Sequence, residues 1–200
     1  GTFHGAWHGG VWQDGEWKYG TWYGGEWRKG TWNTGTWIGG TWTSGSWVDG
    51  TWSNGLWKYG TWQDGEWKYG EWLDGIWHGG VWRCGTWHSG EWNGGTWLNG
   101  CWHNGFWIDG TWHSGTWNDG VWHDGAWRGG TWYKGYWFKG TWLTGNWHSG
   151  EFRGGIWEDG DWYGGKWKGG SWVTGRIWSN SKSCLVDSKV NPAEFYANEK

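Results

Sequence analysis

Along most of this chain one large apolar side chain returns at every fifth position, set between polar or β-branched neighbours. Every fifth residue from Trp7 to Trp172 is Trp except Phe152, and every fifth residue from Gly5 to Gly175 is Gly. The unit is Gly-x-Trp-x-x. In a short extended segment such as Thr-Trp-Lys the two flanking residues share one face and the Trp takes the other, because side chains alternate along a strand. All the indoles therefore point the same way, and Trp7, Trp12, Trp17, Trp87, Trp122 and Trp172 exemplify the expected core. The position before Trp is Thr in 12 of 34 units and Glu in six, with Val11, Ile76, Phe106 and Tyr136 among the rest. β-Branched and aromatic residues favour strands there. The position before Gly is mostly Gly, Asp, Asn or Ser, as at Asp14, Gly24, Asn54 and Ser89, which predicts a turn every five residues.

The pattern slips twice. Gly1-Thr2-Phe3-His4 is a four-residue unit, and Gly175-Arg176-Ile177-Trp178 carries one extra residue before its Trp. These slips bracket a repeat array over residues 1–178. Residues 179–200 have ordinary composition and form a cap or attachment segment. Within it Asn191, Pro192 and Glu194 fit an N-cap, a first-turn Pro and an acid at the third helical position, predicting a short helix towards Tyr196.

Two all-β folds satisfy the period. The first is a repeat β-solenoid with the Trp residues inward, each unit forming one side of a coil. It resembles the pentapeptide-repeat family, whose coils point a bulky central residue and a small residue two positions earlier into the core. Trp7 and Gly5 stand at those two places. The resemblance implies a four-sided coil of about 20 residues. Thr at alternate units, as in Thr31, Thr41, Thr51 and Thr61, fits an even number of sides. The second fold is an antiparallel meander of three-residue strands joined by two-residue turns. Gly-Glu-Trp-Lys-Tyr-Gly, at Gly15 to Gly20 and again at Gly65 to Gly70, is similar to the hairpin core of MORN repeats. Asp-Gly and Asn-Gly suit hairpin turns, although Lys29, Thr34 and Lys134 better suit a turn that asks positive φ of its Gly alone. The meander leaves one face of Trp in need of a covering sheet. The solenoid is the preferred expectation.

Composition narrows the function. The 200 residues include 34 Trp and 45 Gly, with a net charge of −3. So many aromatics argue for a buried core and against disorder. The near balance of charge gives no electrostatic footprint for nucleic acid, and no apolar run has the length that membrane insertion needs. The absence of Met, even at position 1, is expected of a processed chain or an excerpt. Cys84, Cys101 and Cys184 form neither a disulfide framework nor a zinc motif.

Chemistry-bearing residues follow the period. All eight His come directly after an aromatic residue: His4, His8, His78, His88, His103, His113, His123 and His148. Stacked, they could form a ladder of ligands, but a metal also needs Cys or carboxylates converging on them. No metal and no cofactor are expected. Asp14, Asp49, Asp64, Asp74, Asp109, Asp119, Asp124 and Asp159 occupy turn positions, where Asp bonds the local backbone. No nucleophile, phosphate loop or paired catalytic carboxylate stands out from the repeat, so the chain is not expected to be an enzyme. One surface candidate remains, the aromatic group Tyr133, Tyr136 and Phe138 beside Lys134 and Lys139, which could stack on a sugar.

Gly/Trp arrays of this kind are similar to repetitive proteins of marine tailed phages, identified with virions and tail fibres. That resemblance implies a rigid structural segment of a virion or extracellular surface, assembled as a homo-oligomer or fibre with protein partners. A carbohydrate-binding module with a glycan partner is the alternative.

Overall fold

The computed structural model describes residues 1–199, and they form a β-solenoid of about 12 turns. Strand partners fix the coil size. Thr36 lies beside Thr51, Trp37 beside Trp52 and Thr61 beside Ile76, all in parallel. Each residue therefore meets the residue 15 positions on, and one coil consists of three five-residue units. The first face carries Trp7, Trp22 and Trp37; the second, Trp12, Trp27 and Trp42; the third, Trp17, Trp32 and Trp47. The segment Glu16–Trp22 runs unbroken round one corner and joins the third face to the first.

The three-sided coil corrects the four-sided one. Consecutive indoles meet edge to face, as in Trp82–Trp87 at 6.0 Å and 75° and Trp87–Trp92 at 6.0 Å and 75°. Successive coils stack them nearly parallel, with Trp72–Trp87 at 4.8 Å and 6°. Ring planes in contact lie about 3.5 Å apart, so a larger centroid separation means tilted, offset stacking, one of the two favoured aromatic geometries. Three indoles close this pinwheel around the axis. A fourth side would push the walls apart and open the axis, losing contacts on every ring. The alternation of Thr marks no face either, because Thr31, Thr41 and Thr51 fall on the third, second and first faces in turn.

Backbone hydrogen bonds run from coil to coil. Thr96 N–H donates to Gly80 O at 2.9 Å and Leu98 N–H to Trp82 O at 2.8 Å, and the pattern repeats along the array. The turns explain the second period. Among the described residues positive φ is confined to glycines and Ser183. Gly95 has φ +106°, and a Cβ built on it would lie 2.5 Å from Gly80 O and 3.1 Å from Gly80 N. Gly is thus demanded by close axial approach as well as by conformation, beyond the inward filling role the family resemblance implied. Two-residue hairpin turns of type I′ would need positive φ at both residues, and the corners do not have it. The eight turn Asp residues each accept a hydrogen bond on Oδ1 from the following Gly N–H, at 2.6 to 2.8 Å.

Both slips in the repeat have structural consequences. At the start, a register shift between Phe3 and His4 lets Phe3 sit beside Trp17 despite the short unit. At the end, the extra residue places Ile177 beside Trp162 and fully buried. Trp178 is turned outward to lie over Tyr163 at 6.3 Å, as a one-residue slip requires. The chain then reverses: Arg176–Ser179 pairs antiparallel with Cys184–Asp187. A helix, Pro192–Asn198, follows with Asn191 as N-cap, its side chain accepting from Glu194 N–H. Phe195 and Tyr196 pack on the end of the core, and Tyr196 Oη donates to Trp178 O at 3.1 Å. Trp17, Trp87 and Trp122 are fully buried, whereas Trp7, Trp12 and Trp172, nearest the two ends, are partly exposed.

Candidate functional surfaces

Two columns of side chains, one before and one after the Trp, run up each face. Residues 15 apart become neighbours, so ladders form wherever like residues recur at that spacing. On the second face Tyr133, His148 and Tyr163 stack at 4.9 and 4.8 Å. On the third, His123 stacks on Phe138 at 5.1 Å. The predicted aromatic group is divided by a corner: Tyr136 and Phe138 flank Trp137 on the third face, while Tyr133 belongs to the second. Arg153 covers both third-face rings, its guanidinium carbon 5.1 Å from the Tyr136 centroid and 4.7 Å from that of Phe138. The two sides of the Phe138 ring are therefore occupied by His123 and Arg153. A groove of about 460 Å³ runs beside Tyr136 along this corner, lined by Asp119, Lys134, Glu151 and Lys166. Lys134 closes one wall through an ion pair to Asp119 at 2.9 Å.

The histidines disperse over the three faces, and His88 and His103 stack at 5.1 Å on the second. Here the fold brings together what the sequence leaves 15 or more residues apart. Glu71 Oε2 lies 3.7 Å from His88 Nε2, while Cys101 Sγ lies 3.8 Å from Nε2 of His103, only two residues on. Asn118 Nδ2 reaches Cys101 Sγ at 3.4 Å. A 15-residue period applied to the sequence would have found this neighbourhood; a five-residue period alone could not. Among the described residues no three His, Cys, Asp or Glu side chains are grouped closely enough to hold a metal ion. Cys84, Cys101 and Cys184 are all free thiols.

Charged side chains pair mostly within a strand or with the next coil. Lys18 meets Glu16 at 2.6 Å, Arg153 meets Glu151 at 2.9 Å, and Arg83 reaches Glu66 across one coil. Lys139 meets Asp124 at 2.6 Å. Partial burial pushes the Asp124 carboxyl up, but hydrogen bonds from Lys139 and Gly125 N–H outweigh it and leave the group below its ordinary range. In the cap the Ser179 hydroxyl bonds Glu199 at 2.5 Å and, with Ser181, holds that carboxyl low.

The repeat and its stacked core define a β-solenoid repeat protein rich in Trp. No protein-family model matches the chain, and no curated protein matches it. Among solved structures, the polysialic acid O-acetyltransferase OatWY aligns over 98% of this chain and 97% of its own, at 6% identity and a TM-score of 0.11. Likeness at that level carries no argument about fold or activity.

Proposed function

We propose that the chain is a rigid structural segment of a virion or extracellular surface fibre, working with protein partners rather than turning over a substrate. The observation that supports this most is the aromatic column itself, unbroken from Trp17 to Trp162 and sealed from water. A stack of near-identical coils bends only by opening many contacts at once, so its stiffness follows from the repeat. Outward positions carry none of that load and can vary. A stiff spacer with a changeable exterior suits a tail fibre or a surface stalk, and the cap over the last coil suits a terminus or a junction. The glycan-binding alternative is less well supported. A sugar needs an open aromatic face, and in these ladders the neighbouring coils take up the faces.

The test is location. Antibodies raised against the soluble array should decorate purified virions or the outer surface of source cells in immunogold micrographs. Confinement of the label to the soluble interior of cells would overturn the proposal. A glycan array probed with the isolated protein should show no binding at millimolar sugar, and specific retention there would move the assignment to the carbohydrate-binding alternative.

A further inference from the structure

The three faces are chemically unequal. On the third, consecutive coils carry large apolar or aromatic side chains in both outward columns: Phe106 with Ile108, Val121 with His123, Tyr136 with Phe138. Phe106 is 54% exposed and Tyr136 47%. Oppositely charged pairs stand on either side of this cluster in the same two columns, Glu16 with Lys18 and Glu151 with Arg153. Neither of the other faces has both columns apolar over successive coils.

The geometry points to a second copy of this chain as the occupant of the third face, docked side by side with the two rods parallel. A two-fold axis along the rod sets the pre-Trp column of one copy against the post-Trp column of the other at equal height. Phe106 then meets the partner's Ile108, and Tyr136 meets the partner's Phe138. Glu16 meets the partner's Lys18, and Glu151 the partner's Arg153. The charge order along the strand is thereby self-complementary, as an isologous interface requires. Lys166 and Lys168 oppose each other only in the last coil of that face, beside solvent. The antiparallel arrangement with full overlap fails on the same residues. It sets Glu91 against Glu91 and Lys18 against Lys168, and lays the aromatic cluster over Ser46 and Thr61.

Area supports the same occupant. Five residues at about 3.3 Å each make a face about 16 Å wide, and about 12 coils at about 4.8 Å give a height of about 57 Å. The product, about 900 Å² per copy, matches the roughly 800 Å² per partner of a standard stable interface.

Sedimentation equilibrium on the full chain tests this. A dimer is expected in the micromolar range, weakened at least about tenfold by Phe106→Lys and unchanged by Leu98→Lys on the first face. Near-ultraviolet circular dichroism from the Trp column reports whether each variant folds. A monomer at 100 µM, or a dimer sensitive to Leu98→Lys instead, would overturn the proposal. Orientation is read separately, in chains with Cys84, Cys101 and Cys184 changed to Ser. With a nitroxide on Lys168→Cys in a chain shown to dimerise, pulsed electron paramagnetic resonance should find the two labels within about 25 Å, because parallel rods set the same coil of both copies side by side, about 10 Å apart. A separation of about 45 Å or more, the roughly ten coils that the antiparallel arrangement would put between them, would refute the parallel arrangement.

Discussion

Gly94 and Gly95 are chain neighbours in the same turn, yet the fold treats them differently. Gly94 lies outside the positive-φ region, and a Cβ there would find only His78 O, at 3.5 Å in ordinary contact. Gly95, at φ +106°, would drive a Cβ into the Gly80 backbone. Gly94→Ala should therefore be neutral or stabilising by about 0.5 kcal/mol, since Ala restricts the unfolded chain. Gly95→Ala carries about 1–3 kcal/mol of backbone strain and a further 1–3 kcal/mol, roughly, from overpacking. The two variants should differ by about 4 kcal/mol. Urea denaturation followed by Trp fluorescence gives the global values. Because a solenoid's stability is close to a sum of neighbour terms, the loss should also be local. Amide exchange should accelerate most at Thr96 and Thr111, whose N–H groups bond Gly80 O and Gly95 O. Equal stability of the two variants, within about 0.5 kcal/mol, would refute the claim that positive φ and close coil stacking together demand Gly at position 95 and not at position 94.

Phe152 keeps the stack, with Trp167 at 4.5 Å and Trp137 at 5.6 Å, but its smaller ring brings Trp147 and Trp157 to 6.5 Å of each other. Phe152→Trp should restore the period and stabilise by about 1 kcal/mol, measured by the same denaturation; a destabilisation would show the local packing already relaxed around Phe. Trp87→Ala should cost about 3–5 kcal/mol and lower the circular dichroism of its stacked neighbours Trp72 and Trp102. The folded pKa of Glu199 lies below its ordinary value, so its contribution to the cap is complete above about pH 4.3 and fades as pH falls through the lower folded value. The protection factor of Ser188 N–H, which bonds Gly175 O, should fall in acid once the intrinsic exchange rate at each pH is divided out, and Glu199→Gln should abolish that fall.

Much of the architecture is written in the five-residue period, because strand alternation assigns Trp inward and its neighbours outward whatever the coil size. The number of sides is set by how indoles meet one another around an axis, a three-body packing problem that no single unit contains. The near-copy of Gly10 to Gly20 at Gly60 to Gly70 is displaced by 50 residues; strand partners lie 15 apart, so corresponding residues of the two copies fall on different faces. Sequence similarity within the array thus points away from spatial neighbours. The same blindness divides Tyr133 from Tyr136 and Phe138, three and five residues on, across a corner. It also conceals the approach of Asn118 to Cys101 and His103, which only the coil length brings about. The helix from Pro192 was legible because its cap is local. The burial of Ile177 in place of Trp178 follows from a one-residue slip whose outcome depends on the coil beneath it.

Disulfide trapping distinguishes a 15-residue coil from a 20-residue one. In a chain with Cys84, Cys101 and Cys184 changed to Ser, Thr36→Cys with Thr51→Cys places two thiols on paired positions of adjacent coils. At about 4.8 Å between Cα atoms, such a pair is within disulfide reach. Thr31→Cys with Thr51→Cys, which a four-sided coil would bring together, lies on two different faces. In the folded protein the first pair should oxidise rapidly within one chain, and the second not at all. Oxidation of the second pair with the first remaining reduced would contradict it.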